Sequence, residues 1–302
     1  MLDVSPRCLI VALLSATAAL GTGCAGGSDG GLGEPVPGGS AQAPQAPEPA
    51  EPPAPKAPLP RQPAALAERL TQTDVALGEA LERWRAEGDL GAYPSPDEVT
   101  LWALQQQRIH LLLTPRPRLA NQVLALLPPR GAAHLEATFR ARRGLGKITP
   151  ATPGRYRTGP PEPPGQLLAH YRRAQRRFDV GWPVLAAINF VESAFGRLRN
   201  SSAAGAQGPM QFIPSTWEAY GLGGDVNDPR DAILGAANYL HANGAPGRLR
   251  NALYRYNPSG LYVNAVLAYT ERIRRDPNAF LAYYSWQVFV RVPGGTRRIT
   301  GP

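Results

Sequence analysis

The 302-residue chain has two cysteines, two methionines and, at Lys56 and Lys147, only two lysines; no apolar run in it is long enough to cross a bilayer. Each shortage excludes something. Cys8 falls inside an N-terminal leader, so a mature chain keeps at most Cys24. With one thiol, neither an intramolecular disulfide nor a cysteine-based zinc site can form. The apolar run Leu9–Leu20 has twelve residues, whereas a stable span needs about 20. The histidines, His110, His134, His170 and His241, stand apart without metal-like spacing, and neither a phosphate-binding nor a dinucleotide-binding glycine motif is present. The stretch Gly221–Asp231 lacks the ligand pattern and the final Glu of a calcium loop, so no metal and no cofactor are expected. The net charge of +9 favours polyanionic surroundings: nucleic acid, anionic lipid or an acidic cell wall. Arginine carries nearly all of it, as expected of a GC-rich genome. The run Arg172, Arg173, Arg176 and Arg177 reads as a solvated helix face rather than a nucleic-acid site, given the export argued next.

Arg7, the short apolar run and then Gly21-Thr22-Gly23-Cys24 have the layout of a signal peptide over residues 1–24. A cysteine directly after the run resembles a lipobox, in which that residue is acylated and becomes the first of the mature chain. Leu20 stands four residues before Cys24, one more than the usual spacing. Two outcomes stay open: a lipoprotein held at the membrane through acylated Cys24, and plain secretion. Either places the protein in or beyond the cell envelope. Residues 25–63 form a linker; eleven of the residues from Gly31 to Pro63 are proline, which stiffens a chain that cannot bury a core.

The remainder reads as helical. Leu66, Leu70, Leu77, Leu81 and Trp84 keep the spacing of one buried stripe. Glu98–Leu113, with Asp97 as a capping candidate, Leu119–Leu127 and Ala132–Arg143 complete a helical domain over 64–150, without visible chemistry. A Pro/Gly-rich stretch near residue 155 marks a boundary. A second helical domain runs over 155–285. The tail, 286–302, alternates from Trp286 to Val292 and is expected to hold one short strand.

Chemistry is visible at Glu192. A helix starting at Trp182-Pro183 carries Leu185, Ile188, Glu192 and Phe195 at spacings of 3, 4 and 3 on one apolar stripe. A carboxyl there is costly unless it is paired or does work. Arg197 and Arg199 are close enough in sequence to neutralise it. Unpaired, it keeps its proton near neutral pH, which suits a general acid.

Glu192-Ser193, then Ser202-Ala-Ala-Gly-Ala-Gln-Gly-Pro-Met-Gln211, then Tyr256-Asn257 resemble, in order and spacing, the lysozyme-like lytic transglycosylases of the soluble and membrane-bound B types, in an actinobacterial-like lipoprotein form. Phe212–Trp217, Asp228–Leu240 and Arg255–Ser259 with Tyr262-Val263 continue the likeness, which covers about residues 166–275. The resemblance implies a mainly α, lysozyme-like catalytic domain that cuts peptidoglycan glycan strands. It makes Glu192 the acid and then the base, and Ser193, Ser202, Met210, Gln211, Tyr256 and Asn257 the substrate-binding set. Pro209 agrees with the B-type branch, whereas Arg255 stands where the family often has a small residue. A glycosidase with two carboxylates needs a second acid across the bond, about 5–9.5 Å away. Glu218, Asp225, Asp228 and Asp231 lie in polar or loop settings, and Asp228 before Pro229 reads as a helix cap. The expected chemistry therefore uses one carboxylate and the substrate's own groups. A hydrolytic muramidase and a non-catalytic glycan-binding lipoprotein are the rivals.

Overall fold

Proline at the first or second helical position opens α1 (Pro63–Glu87), α3 (Pro117–Leu124), α4 (Pro129–Ile148), α5 (Pro164–Phe178), α6 (Trp182–Ser193), α7 (Pro214–Tyr220) and α8 (Pro229–Ala242). The missing N–H costs nothing there, which is how so proline-rich a chain remains helical. The computed structural model describes residues 50–149, 155–292 and 295–302. The expected leader, Cys24 and the expected linker as far as residue 49 lie outside them. The other helices are α2 (Asp97–Leu113), α9 (Leu249–Tyr256), α10 (Gly260–Arg275) and α11 (Asn278–Ser285). The fold is mainly α, as expected, with one hairpin of β1 (Phe289–Val292) and β2 (Gly295–Arg298), in which Phe289 faces Arg298.

The first helix buries its whole anticipated stripe, Leu66, Leu70, Leu77, Leu81 and Trp84. Three details differ from expectation. Asp97 is the first residue of α2 and makes no cap: Pro96 holds the N-cap position without a side-chain bond. α4 extends beyond Ala132–Arg143 at both ends, because Pro129 starts it and Leu145, on its core face, carries it on. The tail contributes two strands, not one; Gly295–Arg298 has too few apolar residues to announce itself as a strand and is ordered by its partner.

The boundary near residue 155 does not separate two cores. Leu77, Leu81, Trp84, Val99, Trp102 and Leu145 belong to the same buried cluster as Leu185, Ile188, Val263 and Ile273. A smaller cluster of Leu66, Leu70, Ile109, Leu113 and Phe139 sits behind it, and Leu59 from the end of the linker packs against that one. Polar ties reinforce the join. The Gln107 side chain pairs with the backbone of Gln287 like a strand neighbour: its Nε2 donates to the Gln287 carbonyl (2.7 Å) and its Oε1 accepts from the Gln287 N–H (2.8 Å). Arg142 of α4 is only 1% exposed and lies 5.3 Å from the Trp286 ring centroid, and its Nε donates to the Thr114 hydroxyl (3.3 Å).

Candidate active site

Every residue of α6 from Val184 to Ser193 is buried, so the helix is a central rod rather than a one-striped surface helix. It packs against α5, α8, α10 and α11. The stripe drawn from the sequence was therefore too narrow, and Phe195 falls outside the helix altogether. The chain turns sharply after Ser193: Ala194, Phe195 and Gly196 all have left-handed backbones, with φ of 51°, 64° and 84°. Two of these are non-glycine residues in a disfavoured region, a form of strain that persists only where surrounding contacts impose it.

Those contacts can be named. The Ser193 hydroxyl donates to the Pro209 carbonyl (2.6 Å) and accepts from the Gly196 N–H (2.8 Å). Arg197 is 4% exposed; its Nη1 donates to the Ala194 carbonyl (3.3 Å), and its guanidinium lies 4.6 Å from the Tyr284 ring centroid and 5.9 Å from that of Tyr93. A cation at the carbonyl end of a helix complements the helix dipole. Tyr93, from the connection between α1 and α2, thus reaches the turn that follows Glu192. Replacing Arg197 with Met is expected to lower both melting temperature and turnover, whereas Lys, which lacks the planar fork, rescues only part. Thermal melts and initial rates on the two variants check this.

Glu192 itself is 2% exposed and is the one buried carboxylate among the described residues. Neither arginine neutralises it: Arg197 serves the turn, and Arg199 donates to the Pro160 carbonyl (2.9 Å). Burial pushes the Glu192 carboxyl up to about 8, opposed by the neighbouring Tyr262 hydroxyl of α10. Its Oε2 has no protein partner. The carboxyl therefore holds its proton at neutral pH. Any reaction that uses Glu192 as an acid is expected to keep its rate to about pH 8 and to fall above it as the proton is lost. A pH–rate profile of kcat/KM measures that limb.

The other blocks converge on the same turn. Residues 202–206 form a tight loop in which the Ser202 hydroxyl accepts from the Ala206 N–H (3.0 Å). Gly208 has a φ of 73°, and a Cβ there would overlap the Val226 carbonyl oxygen. Gly208→Ala therefore combines backbone strain with a collision and is expected to destabilise the fold by about 2 kcal/mol or more, read from chemical denaturation. Gln211 is left-handed as well, at φ 50°. Its Nε2 donates to the Gly208 carbonyl (3.0 Å) and its Oε1 is buried without a partner. The Tyr256 hydroxyl, at the end of α9, donates to the Met210 carbonyl (2.5 Å), and Asn257 follows it, 3% exposed.

Two bonds, Ser193 to Pro209 and Tyr256 to Met210, thus tie together the three blocks picked out in the sequence. The residues do not stand in equal positions. Ser193 and Met210 are both 0% exposed, and the Ser193 hydroxyl is occupied with the turn. Ser202, Gln211, Tyr256 and Asn257 are buried but keep slight exposure. Tyr262 was missed as a site residue. Its place in the sequence is visible, but only the packing of α10 on α6 brings its hydroxyl close enough to act on the Glu192 carboxyl. Asp228 does cap α8, accepting from the Asp231 N–H (3.0 Å). Asp231 in turn accepts from the Asp225 N–H (3.2 Å), so those aspartates order a loop.

Residues 170–275 match the family model described as the transglycosylase SLT domain. A stretch of 122 residues, 38% of this chain, is 30% identical to the membrane-bound lytic murein transglycosylase F of Thiobacillus denitrificans and covers 26% of that protein. The chain thus spans about a quarter of the length of the curated relative it matches. No solved structure gives a significant match. The segment that carries Glu192 and its surrounding loops is thus similar to the transglycosylase SLT domain and, in part, to a lytic murein transglycosylase.

Proposed function

We propose that the protein cleaves the β-1,4 bond between N-acetylmuramic acid and N-acetylglucosamine in peptidoglycan without consuming water. The supporting observation is Glu192: a lone buried carboxylic acid, protonated at neutral pH, at a helix end opened by a strained turn. In its acid form it gives its proton to the glycosidic oxygen as that bond breaks. The muramic acetamido oxygen supports the developing positive charge at C1. The resulting carboxylate, destabilised by burial, then takes the proton of the muramic C6 hydroxyl, whose oxygen closes on C1 to form the 1,6-anhydro ring. Glu192 ends protonated, and no second protein carboxylate is needed. Among the described residues none is buried to serve as one.

Ser202, Gln211, Tyr256 and Asn257 are proposed to hold the sugar amides and hydroxyls, with Tyr262 orienting the carboxyl. In the mature protein, Cys24 is proposed to be the acylated anchor and the proline-rich linker the spacer that lets the domain reach the wall. Digestion of purified peptidoglycan followed by mass spectrometry tests the activity. Anhydro-muropeptides are expected; products with reducing ends would make the protein a hydrolase, and the absence of products a binding protein.

A further inference from the structure

Beside the turn that follows Glu192 runs a groove of about 710 Å³ that Glu192 itself does not line. Pro161, Phe195, Leu198 and Pro209 give it an apolar floor, and Arg157 and Arg199 stand at its rim. The segment before α5 builds one wall by strand-like pairing: Thr158 bridges to Leu198, and the Arg199 N–H donates to the Arg157 carbonyl (2.9 Å).

The two arginines are held in place. An Arg157 Nη2 donates to the Arg199 carbonyl (2.9 Å) and an Arg199 Nη2 to the Pro160 carbonyl (2.9 Å). Gly159 leaves the flat space against which the Arg199 guanidinium lies; a Cβ there would overlap it. Among the described residues, no carboxylate lies within ion-pair distance of either arginine. The acid on the groove wall, Glu162, stands 3.0 Å from the His170 imidazole and away from both guanidinium groups. Two guanidinium groups on one rim, each fixed by a backbone carbonyl and in no ion pair, form a receptor for carboxylates, since each retains N–H donors in fork geometry. The floor suits aliphatic side chains.

We infer that this groove binds the peptide stem of the peptidoglycan strand, with Arg157 and Arg199 taking its carboxylates. The inference rests on the proposed substrate. The groove adjoins the catalytic turn through Phe195 and Pro209, and Pro209 is bonded to Ser193, so a stem held there fixes the glycan strand relative to Glu192. A phosphate-rich wall polymer would satisfy the charges but has no use for the apolar floor.

The test compares cleavage of two substrates, strands bearing stems and the same strands freed of them by an amidase, by the wild-type chain, the double variant Arg157→Gln/Arg199→Gln and Gly159→Ala. Gly159→Ala keeps both charges and displaces Arg199. The double variant is expected to lose about tenfold or more in kcat/KM on stem-bearing strands and nothing on stripped ones, with an unchanged melting temperature. Gly159→Ala is expected to fall between it and wild type. Equal loss on both substrates, or no loss on either, overturns the inference, as does a defect confined to walls carrying phosphate polymers. NMR titration with a free stem tetrapeptide separates this inference from the proposed activity. If the wild type cuts neither substrate yet binds the peptide through the arginines, the activity is wrong and the groove assignment stands. If it cleaves but shows no arginine-dependent peptide binding, the groove assignment fails.

Discussion

Glu192→Gln is expected to abolish turnover, with a fall of at least about a hundredfold, while leaving the fold intact. Glutamine matches glutamate in shape, but it has no acidic proton to give to a leaving oxygen. The stability of the variant supplies a second readout. The Glu192 carboxyl binds its proton more tightly in the folded chain, at about 8, than in the unfolded one, near the ordinary 4.5. Between those values the unfolded state binds fewer protons, so wild-type stability falls as pH rises from about 4.5 to about 8 and levels off above. Glutamine removes this slope. The variant should therefore gain on wild type across that window in denaturation experiments at stepped pH. Parallel curves would mean that Glu192 is not buried as described. An inactive variant that has lost its cooperative transition would leave catalysis and folding confounded, which Tyr262→Phe separates: it removes the orienting hydroxyl and should lower kcat more than it raises KM.

The second large effect concerns the N-terminal helices. A fragment of residues 155–302 is expected not to fold cooperatively, although it contains the entire matched domain. Removing α1, α2 and α4 strips Leu77, Leu81, Trp84, Val99, Trp102 and Leu145 from the main core. Each large apolar side chain contributes about 1.5–3 kcal/mol on burial. The sum is comparable with the whole net stability of a domain, about 5–15 kcal/mol. The fragment also loses Gln107, which satisfies both backbone groups of Gln287, and Tyr93, which stacks on the buried Arg197. Circular dichroism and thermal melts of residues 50–302 and 155–302 make the comparison. A fragment melting as sharply and as high as the longer chain would show that the helical region is a separate unit.

That region also marks what the sequence could and could not tell. Helical periodicity was enough to place α1, the breaker Pro94-Ser95-Pro96 marked the start of α2, and Trp182-Pro183 marked that of α6. The residues around Glu192 were legible because chemistry needs particular side chains in a particular order. Composition marked a boundary near residue 155, but a proline-rich connector reports only local chain stiffness. Which apolar faces meet across it is a matter of tertiary packing, and the faces of α4 and α10 have no sequence label that pairs them. For the same reason Tyr262 has no role in the sequence reading, and Arg197 has only that of a possible partner for Glu192. A tyrosine in α10 and an arginine beyond the helix become functional only when the turn of Ala194, Phe195 and Gly196 brings the chain back under α6. That turn was unreadable because Ala194 and Phe195 are not residues that announce a left-handed backbone. Ser193 and Met210 show the converse: the motif singles them out, and the structure has both fully buried, with the Ser193 hydroxyl and the Met210 carbonyl bonded to neighbouring segments.

The most direct test of the central claim is digestion of peptidoglycan in water enriched in heavy oxygen, with mass spectrometry of the new glycan ends. If Glu192 passes its proton to the leaving oxygen and recovers one from the muramic C6 hydroxyl, the products carry no label and end in the anhydro ring. Label at C1 of the muramic acid would mean that water attacks, and would contradict the one-carboxylate, non-hydrolytic account.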